Sequence, residues 1–359
     1  MLLGIDASRA MKKEKTGVEW YSWHLLHAME QNTPPNWRID LYIYTNYELG
    51  ELQIMNDDWK LKALNWPLKY LWTQARLSYE MKRRPPDVLF VPGHVLPIIH
   101  PSRSIVTIHD VGFKRFPECY SYPARAYLDW STRQAAMEAK KIIVPSEFTK
   151  KELQNFYGVW DNQVAVVPHG VDFDFWQKNS EAADAKKIKQ KYHFDKPYVI
   201  FVGRLEEKKN ISRLLAAWQA ADIKDFDLVL VGNSQTILPS ENVKILGWLR
   251  KDDLRELYWS AAAMIMPSLY EGFGLTLLEA MAAGAPVAAS DIAAHREVAG
   301  EAAIFFDPLS VESIVESLKR ICGDGALRGT LKEKGKQKAS EFSWQKSAER
   351  TWGAIVNVE

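Results

Sequence analysis

"AMIMPSLYEGFGLTLLEAMAAGAPVAAS", residues 263–290, passes from a short apolar run through a glycine-rich loop into a strong helix former and back to a short apolar run. "AMIMPS" (263–268) and "APVAAS" (285–290) have the length and character of buried strands. Between them "LTLLEAMAA" (275–283) is all good helix formers, closed by Gly284 and stopped by Pro286. A strand, a helix and a second strand in so short a stretch make a βαβ unit, which forces the two strands parallel.

The same alternation extends along the whole chain. Strands are expected at 2–6, 38–45, 87–92, 104–110, 141–146 and 163–170, and again at 197–204, 226–232, 243–248, 263–268, 285–290 and 302–308. Between the two sets lies "FDFWQKNSEAADAKKIKQKYHFD" (173–195), polar, charged and without a strand pattern, which reads as a linker. The fold class is therefore α/β, with two doubly wound Rossmann-like domains over 1–172 and 196–342. A last helical stretch (343–359) has no strand of its own.

Composition excludes several classes of function. The chain has 359 residues, 46 basic and 45 acidic, so its net charge of +1 provides no global field for nucleic acid. Cys119 and Cys322 have no metal-ligand spacing and suggest a reducing compartment, with a cytoplasmic location expected. No apolar run approaches the length of a membrane span.

In open parallel sheets, ligands meet the residues just after the strands. "FVGRLEEKKN" (201–210) ends a strand in Gly203 and then offers Arg204 and Lys209, a fork and a point charge suited to a diphosphate. In the opening stretch Gly272 and Gly274 leave the backbone N–H groups of Phe273, Gly274 and Leu275 open to a ligand at the positive end of a helix. Glu271 lies in that loop and Glu279 in the helix's second turn, where carboxylates can accept from vicinal hydroxyls. "TIHDVGF" (107–113) ends a strand in His109 and Asp110, and "KTGVEWYSWHLL" (15–26) starts a helix at Gly17. The pattern Asp172-x-Asp174 lies at the junction into the linker and is read as structural.

Together, "SLYEGFGLTLLEAMAAGAPVAAS", "FVGRLEEKKN", "VVPHGVD", "LGWLRKDDLRELYWSA" and "TGVEWYSWHLLHAM" resemble glycosyltransferase family 4, of GT-B architecture, over nearly the whole chain. The resemblance implies two domains facing each other across a cleft, with a helix from Ser343 crossing back to the first. It also implies a retaining transfer of a sugar from a nucleoside-diphosphate donor to a hydroxyl acceptor, with no cofactor and no metal. Arg204 and Lys209 would bind the diphosphate and Glu279 the ribose. Glu271, with Phe273, Gly274, Leu275 and Thr276, would hold the donor sugar; Gly17 would approach the phosphates and His109 the reaction centre. Short members of this kind resemble bacterial mannosyltransferases of polysaccharide assembly, so GDP-mannose is the expected donor. A UDP-sugar donor and a non-catalytic nucleotide-sugar-binding protein are the alternatives. A phosphorylase would need a lysine for pyridoxal phosphate in a recognisable context, and a nicotinamide dehydrogenase a compact G-x-G-x-x-G, and neither is present.

The acceptor is expected to be a glycan or a lipid-linked glycan. "WPLKYLWTQARLSYEMKRRPPD" (66–87) reads as a basic amphipathic helix with Leu68, Leu71, Trp72, Ala75 and Tyr79 on one face. From Lys60 to Arg84 the cations Lys60, Lys62, Lys69, Arg76, Lys82, Arg83 and Arg84 stand against Glu80. This reads either as a helix packing its apolar face on the first domain's sheet with a solvated basic rim, or as peripheral contact of that rim, with "FKRFPECYSYPARAY" (113–127), with the anionic inner face of a membrane.

Overall fold

The computed structural model describes residues 1–44, 54–68, 70–177, 185–233 and 241–358. Thr45 of the expected second strand, Lys69 of the basic stretch and 178–184 of the expected linker lie outside the described residues. Contacts divide the chain into two compact units, Met1–Gly170 with Trp344–Glu359, and Val171–Ser343.

Among the described residues the first unit has a parallel sheet of seven strands: β1 Leu2–Asp6, β2 Arg38–Tyr44, β3 Trp59–Leu64, β4 Val88–Val91, β5 Ser104–Thr107, β6 Lys141–Val144 and β7 Val164–Val166. Their order is β3-β2-β1-β4-β5-β6-β7. The second unit has six parallel strands: β8 Tyr198–Val202, β9 Asp227–Val231, β10 Val243–Leu246, β11 Ala263–Met266, β12 Val287–Ser290 and β13 Ala303–Phe306. Their order is β10-β9-β8-β11-β12-β13. In each sheet the order reverses at one point, between β1 and β4 and between β8 and β11, and there the loops leaving the strands diverge to opposite faces and open a crevice. The inner strands are sealed on both sides: Leu3, Ile5, Phe90 and Ile105 are fully buried in the first unit, as are Ile200, Leu230, Ile265 and Ala288 in the second. Each such Leu, Ile or Phe contributes roughly 1.5–3 kcal/mol of burial.

All twelve expected strands are present, and β3 is the addition. It is an edge strand whose ends, Trp59 and Leu64, are buried while Lys60 to Ala63 are exposed. Its lysines blunt the open edge, and for that reason the segment lacks the apolar run that marks the other strands.

The helix expected over 66–87 is shorter and turned. Leu71 is left-handed (φ 64), a π-helix occupies Trp72–Leu77, and an α-helix continues over Ser78–Arg83. Leu68, Leu71 and Tyr79 are more than half exposed, whereas Leu77 and Met81 are buried. The wider π turn adds a residue and rotates the α-helix after it, so a face drawn at 3.6 residues per turn ends up in the wrong place.

The linker reading also changes. Phe173–Gln177 and Ala185–Tyr192 are helices, and Trp176, Ile188 and Phe194 enter the core of the second unit. Three large apolar residues in a charged segment were enough to dock it. The last helix, Trp344–Val356, packs on Gly17–Gln31 of the first unit, with the Trp352 indole N–H donating to the Met29 carbonyl at 3.0 Å and Ser347 Oγ to the Pro168 carbonyl at 2.6 Å. No helix among the described residues is long and apolar enough to cross a membrane.

Candidate active site

In the second unit the loops after β8 and β11 leave the switch point of the sheet and meet. Leu269 N–H donates to the Lys208 carbonyl at 2.9 Å, which joins them. Lys209 Nζ then reaches Glu271 Oε1 at 2.5 Å, with both side chains only 14% exposed, and Ser268 Oγ donates to the same oxygen at 2.8 Å. Burial acts to raise the Glu271 carboxyl, but Lys209, His295 and the bond from Ser268 outweigh it and hold the pKa below its usual value. Glu271 is a fixed carboxylate. Arg204 opens the same loop as Lys209, is exposed and has no ion pair among the described residues.

The helix expected after Gly274 runs over Leu275–Ala283. Gly274, at φ 106, is its N-cap, and no side chain caps it. A left-handed turn at this place is what lets the loop enter the helix with the first amides uncovered, Leu275 and Thr276 among them. Phe273 is buried against Phe342 at 5.9 Å and anchors the loop. Glu279, 8% exposed, has Lys251 at 4.0 Å as its one ion-pair partner among the described residues. Burial therefore raises its pKa despite that lysine. No hydrogen bond to its two oxygens is made among the described residues, so they hold capacity for hydroxyl donors.

His295 was not anticipated. It is fully buried, its Nδ1 lies 3.0 Å from the Ser290 carbonyl, and its Nε2 has no hydrogen-bond partner among the described residues. Its ring sits directly beneath Gly274, where a Cβ would come within 3.5 Å. Burial lowers its pKa to about 4, against the pull of Glu271, so the ring is neutral and props the glycine turn without competing with Lys209 for the carboxylate.

The first unit carries His109 just beyond β5. The His109 backbone N–H donates to His94 Nε2 at 2.9 Å. Its ring bonds the Pro92 carbonyl, leaving Nε2 buried without a partner among the described residues, so Nδ1 carries the proton. His94 and His169 lie at ring distances of 5.4 Å and Tyr21 meets its edge at 4.6 Å. Burial, then His169 and His94, push its pKa well below the usual value. His109 offers a neutral lone pair, an acceptor for a hydroxyl.

Gly17 begins the first long helix, and a Cβ there would meet nothing within 4 Å. What sets this turn is Glu19, which sequence reasoning passed over. Its carboxylate accepts from Thr16 N–H at 3.2 Å, from the Thr16 hydroxyl, from Arg9 at 3.0 Å and from Lys12 at 3.1 Å. Burial opposes its charge, yet Thr16, Lys12 and Arg9 bring the pKa down to about 2. The signal was legible, since "TGVE" at 16–19 has the spacing of a capping box. Asp172 accepts from Phe175 N–H at 3.0 Å at the start of the Phe173–Gln177 helix.

Residues 16–175 match the family model for Glycosyltransferase Family 4, and residues 184–338 that for Glycosyl transferases group 1. The chain is 27% identical over 267 residues to O-antigen chain mannosyltransferase B of Escherichia coli, covering 70% of each. Among solved structures it resembles sucrose-phosphate synthase from Thermosynechococcus elongatus, with a TM-score of 0.76, 20% identity and 98% of both chains covered. It also resembles Anabaena HepE in complex with UDP-glucose, with a TM-score of 0.71, 15% identity, and 98% of this chain and 99% of that one covered. At these identities the two structures speak to the fold.

Proposed function

The chain belongs to glycosyltransferase family 4, and from that premise we propose that it transfers mannose from GDP-mannose to a hydroxyl of a glycan or lipid-linked glycan, with retention and without a metal ion. The second unit takes the nucleotide sugar and the first unit the acceptor. The observation that carries this reading is the buried Lys209–Glu271 pair beside the uncapped start of the Leu275–Ala283 helix. A cation for phosphate, a carboxylate for sugar hydroxyls and free amides for developing charge lie together there. In this scheme Arg204 and Lys209 hold the diphosphate, Glu279 takes the ribose diol, and Glu271 with the turn Phe273–Thr276 takes the sugar. Gly17 borders the phosphates, and His109 accepts from a donor-sugar hydroxyl near the anomeric carbon.

As the bond from the anomeric carbon to the β-phosphate oxygen breaks, the electron pair leaves with the phosphate, and the fixed cations and amides stabilise it. The acceptor oxygen bonds the anomeric carbon on the same face and its proton passes to the departing phosphate oxygen. The products are nucleoside diphosphate and glycoside. The choice of mannose is supported by the O-antigen mannosyltransferase relative, and GDP is proposed with it as the nucleotide. A UDP-sugar donor is the second reading, supported by the fold shared with a protein held in complex with UDP-glucose.

Thermal melts with GDP and UDP, then turnover of GDP-mannose and UDP-glucose with EDTA present, decide between them. A nucleotide at a hundred times its dissociation constant stabilises by roughly 2.7 kcal/mol, a shift easily measured. Stabilisation by UDP alone would remove the mannose reading, and turnover abolished by EDTA would remove the metal-free mechanism. We further propose peripheral contact with an anionic membrane through Lys82, Arg83 and Arg84, which are exposed around the end of the Ser78–Arg83 helix.

A further inference from the structure

At the switch point of the first sheet, between the ends of β1 and β4, lies a cavity of about 210 Å³ lined on one side by Asp6, Ser8 and Arg9 and on the other by Pro92, His94 and Trp72. It lies entirely within the first unit. We propose that this cavity holds one neutral pyranose ring of the acceptor, with a single hydroxyl bridging Asp6 and Trp72. The proposal rests on the reading of the chain as a transferase to a glycan and adds to it where the acceptor sugar sits and what charge it bears.

Several observations support it. Asp6 is 5% exposed and accepts from the Ser8 N–H at 3.1 Å, which leaves acceptor capacity inside the cavity. The Trp72 indole Nε1 is buried, leans toward the Asp6 carboxylate and completes no hydrogen bond among the described residues. An N–H donor and a carboxylate acceptor side by side suit a group that accepts and donates at once, and a sugar hydroxyl does both. Burial raises the Asp6 pKa, the cost that a hydroxyl donating to it would relieve.

The cations at the cavity do not ask for an anion, because Arg9 and Lys12 both bind Glu19, at 3.0 and 3.1 Å. With Asp6 the local charge is balanced, which favours a neutral hexose over a uronate or a sugar phosphate. Finally, the lip is built on strained backbone: Leu71 holds a left-handed conformation at φ 64, and the π-helix carrying Trp72 begins directly after it. Leu71 is a bulky residue for such a conformation, and π turns gather at ligand sites.

Saturation-transfer NMR on the full chain tests the proposal, with methyl α-D-mannopyranoside and methyl α-D-glucopyranoside as neutral probes and mannose 6-phosphate as the charged one. The wild type is expected to bind a neutral glycoside in preference to the phosphate. Asp6→Asn and Trp72→Phe are each expected to weaken it about tenfold or more, the scale of one hydrogen bond to a charged group. Nucleotide-induced melting shifts in the same variants report that they remain folded. No transfer to either neutral glycoside, preference for the phosphate, or affinity unchanged in both variants would overturn the proposal. So would a signal that survives both and disappears in Glu271→Gln, since that sugar would be in the second unit. A melt that responds to UDP and not GDP removes the mannose donor while leaving the outcome for this cavity to the glycoside titration.

Discussion

Lys209 Nζ and Glu271 Oε1, 62 residues apart in sequence, meet at 2.5 Å where the loops after β8 and β11 converge. Neither charge is solvated enough to stand alone. Lys209→Ala leaves Glu271 buried and uncompensated, and breaking such a pair costs about 3–5 kcal/mol of stability. Replacing both residues by apolar ones, as in Lys209→Met with Glu271→Leu, is expected to return much of that stability and none of the activity. Losing a desolvated charge contact of about 2–5 kcal/mol corresponds to roughly thirty- to several-thousand-fold in turnover. Urea midpoints and turnover of the single and double variants check this, and a double variant that stays active would refute the role of the pair. Arg204→Ala, on an exposed residue, should lose donor affinity with the urea midpoint unchanged.

Glu279 and Glu271 should separate in kinetics. The ribose is remote from the bond that breaks, so contacts through Glu279 are similar in ground and transition states, while those of Glu271 change as the sugar ring flattens. Glu279→Gln is expected to raise KM roughly tenfold or more with little change in kcat, and Glu271→Gln to lower kcat as well. Because burial raises the Glu279 pKa against the opposing pull of Lys251 at 4.0 Å, the Gln variant should melt no lower than the wild type. Kinetics with the donor varied, together with melting curves, test both halves; a lower melt or a pure kcat effect would contradict the assignment.

Acid should unfold the protein in two stages. His94, His109, His169 and His295 are all held below their ordinary pKa mainly by burial, His169 to about 3 and His295 to about 4. The unfolded chain binds protons near pH 6.5 that the fold refuses, so stability is full above that pH and falls below it. Each such proton is worth about 1.4 kcal/mol per pH unit. Glu19, depressed from 4.5 to about 2, acts the same way in a lower window: its contribution is complete above pH 4.5 and lost as pH falls toward 2. Asp6 and Glu279, raised by burial from 3.8 and 4.5, take up protons in the fold before the unfolded chain does, so the cost of burying them is relieved as pH falls toward those values and offsets part of the first, histidine-driven loss. Urea midpoints from pH 7.5 to 3 should decline from about 6.5, and the gap between wild type and Glu19→Gln should narrow only below 4.5. A flat profile down to pH 4.5 would count against the buried neutral histidines.

Strands buried on both faces are legible in a sequence because apolar residues dominate them, and all but β3 carry such a run. β3 carries Lys60 and Lys62 because an edge must repel partners, which removes the signal. The helix before β4 was misplaced because Leu71 and the π turn are backbone events with no residue signature. At the site, Lys209, Glu271, Gly274 and Glu279 were each visible from their place after a strand or on a helix. That Lys209 would bind Glu271 was not, since the loops meet only once the sheet order reverses. His295 reads as an ordinary helix histidine in "AAHREVA", and only its burial under Gly274 gives it a part.

The basic rim of the first unit is smaller than its sequence suggests, and this sets the strength of any membrane contact. Arg76 is bound to Glu80 at 2.9 Å, Lys114 to Asp129 at 2.6 Å and Arg115 to Glu152 at 2.7 Å. Lys60 and Lys62 lie on β3, with Lys62 at 3.7 Å from Asp40. Lys82, Arg83 and Arg84 remain exposed around the end of their helix, beside Tyr79, which is 55% exposed. At about 1 kcal/mol for each cation near an anionic surface, these supply on the order of 3 kcal/mol, weak and reversible binding. Screening over a Debye length of about 10 Å at 0.1 M salt should release it. Sedimentation with vesicles rich in phosphatidylserine is therefore expected to recover the wild type at low salt only, and to lose it when Lys82, Arg83 and Arg84 all become Ala. Binding that persists in the triple variant, or no binding at low salt, would leave a soluble glycan as the acceptor and these residues as a solvated edge.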